Sequence, residues 1–290
     1  MKKFLSIALA LLMVCVMLPV VALAAEKTAS TYEELKSAIS TANDGDTIKL
    51  LADIDLSQTI TVNKTITLNM NGKKLYNTSD LCDKPTAEAN NWSLISVRGS
   101  GNLTITGNGT FAAKENDCYA VDVQESATVT IKNGTFIGNI HAVYVFAGTA
   151  NVEGGTYSVQ QKYPDSAKGD EFVLNCYDAN RANGTARINV TGGTFKNFNP
   201  ADNKAEGEGN NFADNSLVVQ KNNTVQNNDY YVGNAANEVI AAASKGEEIF
   251  VLNGTTLTNV PAGVIIQNRT GDRITVNGKD VELTGDAGYT

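Results

Sequence analysis

Histidine is nearly missing from this sequence, with one in 290 residues, His141. Cysteine is scarce as well, at four residues. Cys15 lies in an apolar N-terminal run, which leaves Cys82, Cys118 and Cys176. An odd number of widely spaced cysteines is not a disulfide framework. It fits either one bridge with one remaining thiol or three buried thiols. With a single histidine to assist, these cysteines do not make a structural zinc site. Proline (five) and aromatic residues (7%) are also sparse, while Asn, Gly and Thr abound. That balance points to many short strands joined by many turns. There is no basic tract, and 31 acidic residues outweigh 23 basic ones. Such a chain is unsuited to nucleic acid or to anionic membrane surfaces. No Gly-rich phosphate loop, zincin motif or serine nucleophile elbow occurs.

What is there begins with "MKKFLSIALALLMVCVMLPVVALAAEKTAS". Lys2 and Lys3 precede an apolar run that ends near Leu23, and Ala22 to Ala25 supply small residues for cleavage. This order predicts a secretory signal peptide over 1–24. An uncleaved anchor is the other reading of so long a run. Val14, just before Cys15, is not the small residue that a lipid-anchor site requires. No second long apolar segment follows Ala25, so the mature chain is expected to be soluble, secreted or at the cell surface, with no membrane insertion after cleavage.

The rest of the chain says one thing four times. "GNLTITGNGTF" ends at Phe111, "TVTIKNGTF" at Phe136, "NVEGGTY" at Tyr157 and "INVTGGTF" at Phe195, so the spacings are 25, 21 and 38 residues. A period in this range signals stacked repeats. Each phrase alternates apolar and polar residues, turns at Gly or Asn-Gly, then gives Thr and an aromatic residue. "LISV" (94–97), "AVDV" (120–123) and "AVYV" (142–145) precede three of the phrases at a fixed offset. Three short strands per unit predict one rung of a right-handed parallel β-helix, an all-β solenoid. A β-sandwich also has regular turns, but it does not require the same phrase at the same place in every unit. The four aromatic residues are expected to stack inside. "SVQQKYPDSAKGDE" (158–171) and "NPADNKAEGEGNN" (199–211) read as outward loops.

Both ends carry a helical signal. Ser30 or Thr31 caps a short helix whose Leu35, Ala38, Ile39 and Ala42 share one face. Such a helix covers the unpaired end of a solenoid. Placing Gly246 on Gly45 sets Ala236, Val239, Ile240 and Ala243 on those four positions, and "ITVNGKDVEL" (274–283) echoes "LNMNGKKL" (68–75). The reading is a parallel β-helix domain with its cap over 25–230 and a small C-terminal helix-and-strand unit over 231–290. That unit either closes the solenoid or begins a second module; the first is preferred.

The opening "DGDTIKLLADIDL…ITLNMNGKKL" and the repeated "TIxNGTF/VxGGTF" phrases resemble the pectin-lyase-like β-helix proteins secreted by bacteria, over residues 30–230. The resemblance implies a fold, not an activity: such proteins include carbohydrate-active enzymes and adhesins or surface proteins without a known reaction. Lyases of that class need clustered carboxylates for calcium and a basic residue, and hydrolases need paired Asp residues. The acidic residues here are scattered, and neither Asn-Thr-Asp nor Gly-His-Gly occurs. Asp53 and Asp55 share one side of a strand, a weak cation candidate that reads better as a polar face. No cofactor is expected. His141, without an acidic sequence neighbour, reads as a solvated or half-buried structural residue.

One constellation does suggest a site. With the "ISV", "VDV" and "VYV" strands in register, Ser96, Asp122 and Tyr144 form an outward column. Arg98, Gln124 and Phe146 form a second. Carboxylate, amide and aromatic groups on one face suit a sugar ring, so Arg98, Asp122, Gln124, Tyr144 and Phe146 are the glycan-binding candidates; a plain polar face with an Arg98–Asp122 pair is the simpler reading. The expected function is a non-catalytic, secreted or surface β-helix that binds a polysaccharide, a surface glycan or another surface partner. A lyase or glycoside hydrolase of the same class, or a passive envelope module, are the alternatives.

Overall fold

The computed structural model of the chain describes residues 24–81, 93–161, 172–201, 217–224, 227–281 and 288–289. Residues 1–23 of the predicted signal peptide, Cys82 and most of both predicted loops (162–171 and 202–211) lie outside the described residues.

The chain enters with β1 (Glu26–Ala29) and α1 (Tyr32–Ser40). It then lays down strands in threes. These are β2 (Thr47–Leu50), β3 (Ile54–Asp55) and β4 (Ile60–Val62), then β5 (Thr65–Asn69), β6 (Lys74–Tyr76) and β7 (Ser93–Val97). Next come β8 (Asn102–Thr106), β9 (Thr110–Ala112) and β10 (Tyr119–Val123), then β11 (Thr128–Ile131), β12 (Thr135–Gly138) and β13 (Val143–Val145). A further set is β14 (Gly148–Val152), β15 (Thr156–Val159) and β16 (Leu174–Cys176). After α2 (Asp178–Ala182) come β17 (Ala186–Val190) and β18 (Gly193–Lys196).

Each set gives one strand to each of three sheets. Sheet I runs β1-β2-β5-β8-β11-β14-β17, sheet II begins β3-β6-β9-β12-β15-β18, and sheet III runs β4-β7-β10-β13-β16. Every pairing within these series is parallel. The molecule is all-β apart from short helices, with parallel sheets stacked in a manner compatible with a β-helix.

The sequence dictates this arrangement through its alternation. Ile66 and Leu68 of β5, Leu103 and Ile105 of β8, and Val129 and Ile131 of β11 are buried, while the residues between them reach solvent. No single set of strands could bury those side chains alone; the sets above and below do it. In sheet II, Phe111, Phe136, Tyr157 and Phe195 stand in register and are fully buried. Successive ring centroids lie 4.8, 5.1 and 5.1 Å apart, with rings inclined by 11 to 14°. The Tyr157 hydroxyl donates to Gly154 O at 2.6 Å, which satisfies the one polar group in the stack. Burial raises its pKa well above the usual phenol range.

The glycine before Tyr157 is required twice over. Gly155 sits at φ +99°, and a Cβ there would stand 2.9 Å from Gly134 O and 3.1 Å from the Tyr157 hydroxyl. A side chain would meet both a disfavoured backbone conformation and the neighbouring set of strands.

Thr31 is the N-cap of α1: its hydroxyl accepts from Glu34 N at 3.2 Å, and the Glu34 carboxylate accepts from Ser30 N at 2.7 Å. Leu35, Ala38, Ile39 and Ala42 are buried against the end of the sheets, as the helical spacing predicts. Asp46, buried in the turn before β2, accepts from Ala25 N and Asn43 N, and these bonds hold its carboxyl below the usual range.

Sheet II then changes direction. The strands β19 (Val218–Thr224) and β20 (Asn227–Val232) enter it as an antiparallel pair, β20 against β18. Beyond α3 (Asn234–Ala242), β21 (Glu248–Asn253) joins β19, again antiparallel. Then come β22 (Thr256–Leu257), β23 (Ile265–Asn268), β24 (Ile274–Val276), β25 (Lys279–Val281) and β26 (Gly288–Tyr289). Parallel pairing resumes between β21 and β23 and between β22 and β24. A second hydrophobic cluster holds Ala236, Ile240, Ala243, Ile249, Val251 and Ile266. Three of the four expected helix positions are therefore buried, and Val239 packs against them half-buried.

The echo read at 274–283 is present in the turn, but the strands on either side of the turn pair differently in the two places. Asn71 and Gly72 (φ +49° and +71°) match Asn277 and Gly278 (φ +48° and +77°). After the first turn the next set of strands takes both arms, Met70 N donating to Thr106 O and Thr110 N to Lys73 O. After the second, β24 and β25 pair with each other as an antiparallel hairpin.

Candidate functional site

The outer face of sheet III holds the predicted columns. Thr61, Ser96, Asp122, Tyr144 and Asn175 stand side by side in register. The structure thus brings Ser96, Asp122 and Tyr144 together as the alternation suggested. It differs in exposure. Ser96, Asp122, Gln124 and Asn175 are buried although they leave the sheet on its outer side. The expectation of an open polar column is corrected here: its middle is covered, while Thr61 and Arg98 on one side and Tyr144 and Phe146 on the other reach solvent.

The buried part is a hydrogen-bonded cluster. One Asp122 oxygen accepts from the Ser96 hydroxyl at 2.9 Å and the other from the Gln124 amide at 2.7 Å. Arg98 Nε donates to the Ser96 hydroxyl at 2.9 Å, and its charge acts on Asp122. Burial raises the Asp122 pKa from 3.8 to about 6, against the opposing pull of Gln124, Ser96 and the Arg98 charge.

His141 lies at the other side of Tyr144 and is buried, not solvated. Its Nδ1 is 2.7 Å from Phe172 O, and its Nε2 is 3.1 Å from the Asn175 amide nitrogen. A carbonyl can only accept, so Nδ1 carries the proton and Nε2 accepts from Asn175. Burial lowers the His141 pKa from 6.5 to about 4, although the backbone bonds at Phe172 and Ile140 act the other way. The neutral ring stacks on Tyr144 at 5.5 Å and lies 4.9 Å from Tyr119.

The exposed part is a pair of rings. Phe146 follows Tyr144 by two residues and is 37% exposed; Tyr177 is 43% exposed. Their centroids are 4.8 Å apart, with an interplanar angle of 26°. Phe146 was expected from the sequence and Tyr177 was not. Its signal was readable: "LNCY" (174–177) has the spacing of "VYVF" (143–146), and β13 and β16 pair in that register. Asn180, in α2, donates to Phe146 O at 2.7 Å and fixes the segment that carries Tyr177.

Asp53 and Asp55 do not converge on a cation site. Asp53 accepts from Lys74 N, and Asp55 accepts from both the backbone N–H and the hydroxyl of Thr78. Among the described residues, no group of three or more His, Cys, Asp or Glu side chains is placed to hold a metal ion. Cys118 and Cys176 are buried thiols. Among the described residues, no helix is long and apolar enough to cross a membrane.

No family model, curated protein or solved structure matches the chain.

Proposed function

We propose that the chain is a secreted or cell-surface right-handed parallel β-helix of the pectin-lyase-like kind that binds glycan without transforming it. The glycan lies on the outer face of sheet III. The observation that carries this reading is the exposed Phe146–Tyr177 pair standing over a buried polar cluster. The C–H face of a sugar packs on an aromatic ring, and its hydroxyls use the polar groups at the ring edge. The Asn180 bond to Phe146 O ties together the segments that carry the two rings, and the Ser96–Asp122–Gln124 bonds hold β7 and β10 beside them, so little ordering remains to be done on binding. The acidic balance of the chain, 31 against 23, favours neutral sugars over anionic ones.

A glycan array with the purified protein, followed by calorimetry on its hits, tests this. Phe146→Ala and Tyr177→Ala are each expected to weaken binding by about tenfold, as loss of a central aromatic contact does. Binding that persists unchanged in both variants sinks the assignment. Turnover of a bound polysaccharide would replace it with the lyase or hydrolase reading.

A further inference from the structure

Sheet I presents a second, chemically different face. Along four adjacent strands, matching triplets read Thr-Ile-Thr in β5 (65–67), Asn-Leu-Thr in β8 (102–104), Thr-Val-Thr in β11 (128–130) and Thr-Ala-Asn in β14 (149–151). The central residue of each triplet is buried and the flanking ones reach solvent. Pairing is in register throughout: Thr65↔Asn102↔Thr128↔Thr149 form one column, and Thr67↔Thr104↔Thr130↔Asn151 the other. The result is a two-by-four array of hydroxyls, methyls and amides. Its spacing is about 4.8 Å between strands and about 6.6 Å within a strand.

The eight positions of the array carry no ionisable group, in a chain with 54 charged residues; Lys49 and Arg187 stand in the flanking strands, and the exposed Lys132 and Glu153 border the array two residues beyond Thr130 and Asn151. Sheet II has a threonine column too (Thr110, Thr135, Thr156, Thr194), but Ala112, Ile137, Ser158 and Lys196 interrupt the second column. Sheet III buries Ser96, Asp122 and Asn175 of its column and interrupts them with Tyr144. Among the described residues, sheet I alone is regular in both directions.

A regular, neutral, two-dimensional array complements a ligand that is itself a lattice. We propose that the outer face of sheet I binds ice. A single hydroxyl gains nothing from ice that liquid water does not offer. A rigid set of hydroxyls held at a fixed repeat engages many lattice waters at once, with their ordering already in place. Threonine suits such a surface because its branched side chain is restricted at χ1, and its methyl excludes loosely held water beside the hydroxyl. Asn189 donates to Asn151, and Asn151 to Thr130, which stiffens one corner of the array. A neutral polysaccharide is the weaker occupant, because the array offers no aromatic ring for a sugar; those rings stand on sheet III. The inference does not depend on the glycan reading.

The test is slow growth of an ice hemisphere from a solution of the fluorescently labelled protein, with ice recrystallisation inhibition measured alongside. The wild-type protein is expected to enter the ice and to slow recrystallisation. Thr104→Tyr and Thr130→Tyr place bulk at the centre of the array and should reduce both effects about tenfold. Thr128→Lys places a charge there and should do the same, which keeps the test open should a tyrosine variant fold poorly. Thr135→Tyr, on sheet II, should leave both unchanged. Circular dichroism and the melting temperature check the fold of each variant. Exclusion of the wild-type protein from ice overturns the proposal, as does an equal loss in Thr104→Tyr and Thr135→Tyr. A wild-type dimer that Thr104→Tyr dissociates would also overturn it, by assigning the face to a second copy.

Discussion

Asp122 and His141 are two buried titratable side chains with opposite preferences. The folded state raises the pKa of Asp122 from 3.8 to about 6, so it binds this proton where the unfolded chain has released it. The contribution of Asp122 is therefore present below pH 3.8 and lost as pH rises towards 6. The folded state lowers the pKa of His141 from 6.5 to about 4, so its contribution is present above pH 6.5 and lost as pH falls towards 4. Across the shared window the two slopes oppose each other, each at about 1.4 kcal/mol per pH unit. Asp122→Asn removes one of them. Its stability, from urea unfolding, is expected to fall by about 3 kcal/mol more than that of the wild type between pH 6.5 and 4. Parallel pH profiles for the two proteins would refute the assignment.

The aromatic stack makes a second demand at this scale. Phe136→Ala should cost about 3–5 kcal/mol, because rings above and below hold the cavity open. Gly155→Ala adds a contact at 2.9 Å to an unfavourable φ, whereas Gly184→Ala, at φ +81°, has nothing within 4 Å. Thermal melts should therefore place Gly155→Ala clearly below Gly184→Ala. Equal melting temperatures would mean that conformation alone, and not the close approach, selects glycine at 155.

Among the elements, α1 was the most legible. Its cap, its buried face and its terminating turn are all local signals, and local chemistry decides them. Thr31→Ala should cost about 1 kcal/mol through the lost bond to Glu34 N, visible as a lower urea midpoint. The repeated Thr-aromatic strands were legible for a related reason: each copy confirms the register of the others. Two things were not. Alternation assigns a side chain to the outer face of a sheet, but it does not say whether that face is covered, so the burial of Asp122 and Gln124 could not be read from "VDV". The Asn-Gly turn fixes four residues and leaves its arms to whichever strands compete for them. That competition is non-local, so the same dipeptide steps between sheets after β5 and closes a hairpin after β24. Tyr177 falls between these cases, since its register with Phe146 crosses a long insertion.

At the scale of the whole molecule, two hydrophobic clusters share one sheet. The larger is lined by all three parallel series, and the smaller by α3 and the strands from β19 onward. Local stability follows the density of buried contacts. Amide exchange is therefore expected to release Ile249 and Ile266 before Ile105 and Ile131. Simultaneous exchange of all four would show that the two clusters unfold as one unit.

The reversal of sheet II at β19 and β20 bears on assembly. A strand at the end of a parallel series offers its free edge to any strand of the same sense, including one from another molecule. Repeated without limit, that addition is how cross-β fibres elongate. In sheet II the edge of β18 meets β20 running the other way, so the chain blocks that edge with its own reversed hairpin. The hairpin occupies the edge that such growth would need, and a chain cut before Leu217 is expected to expose β18 and to associate, which light scattering would detect.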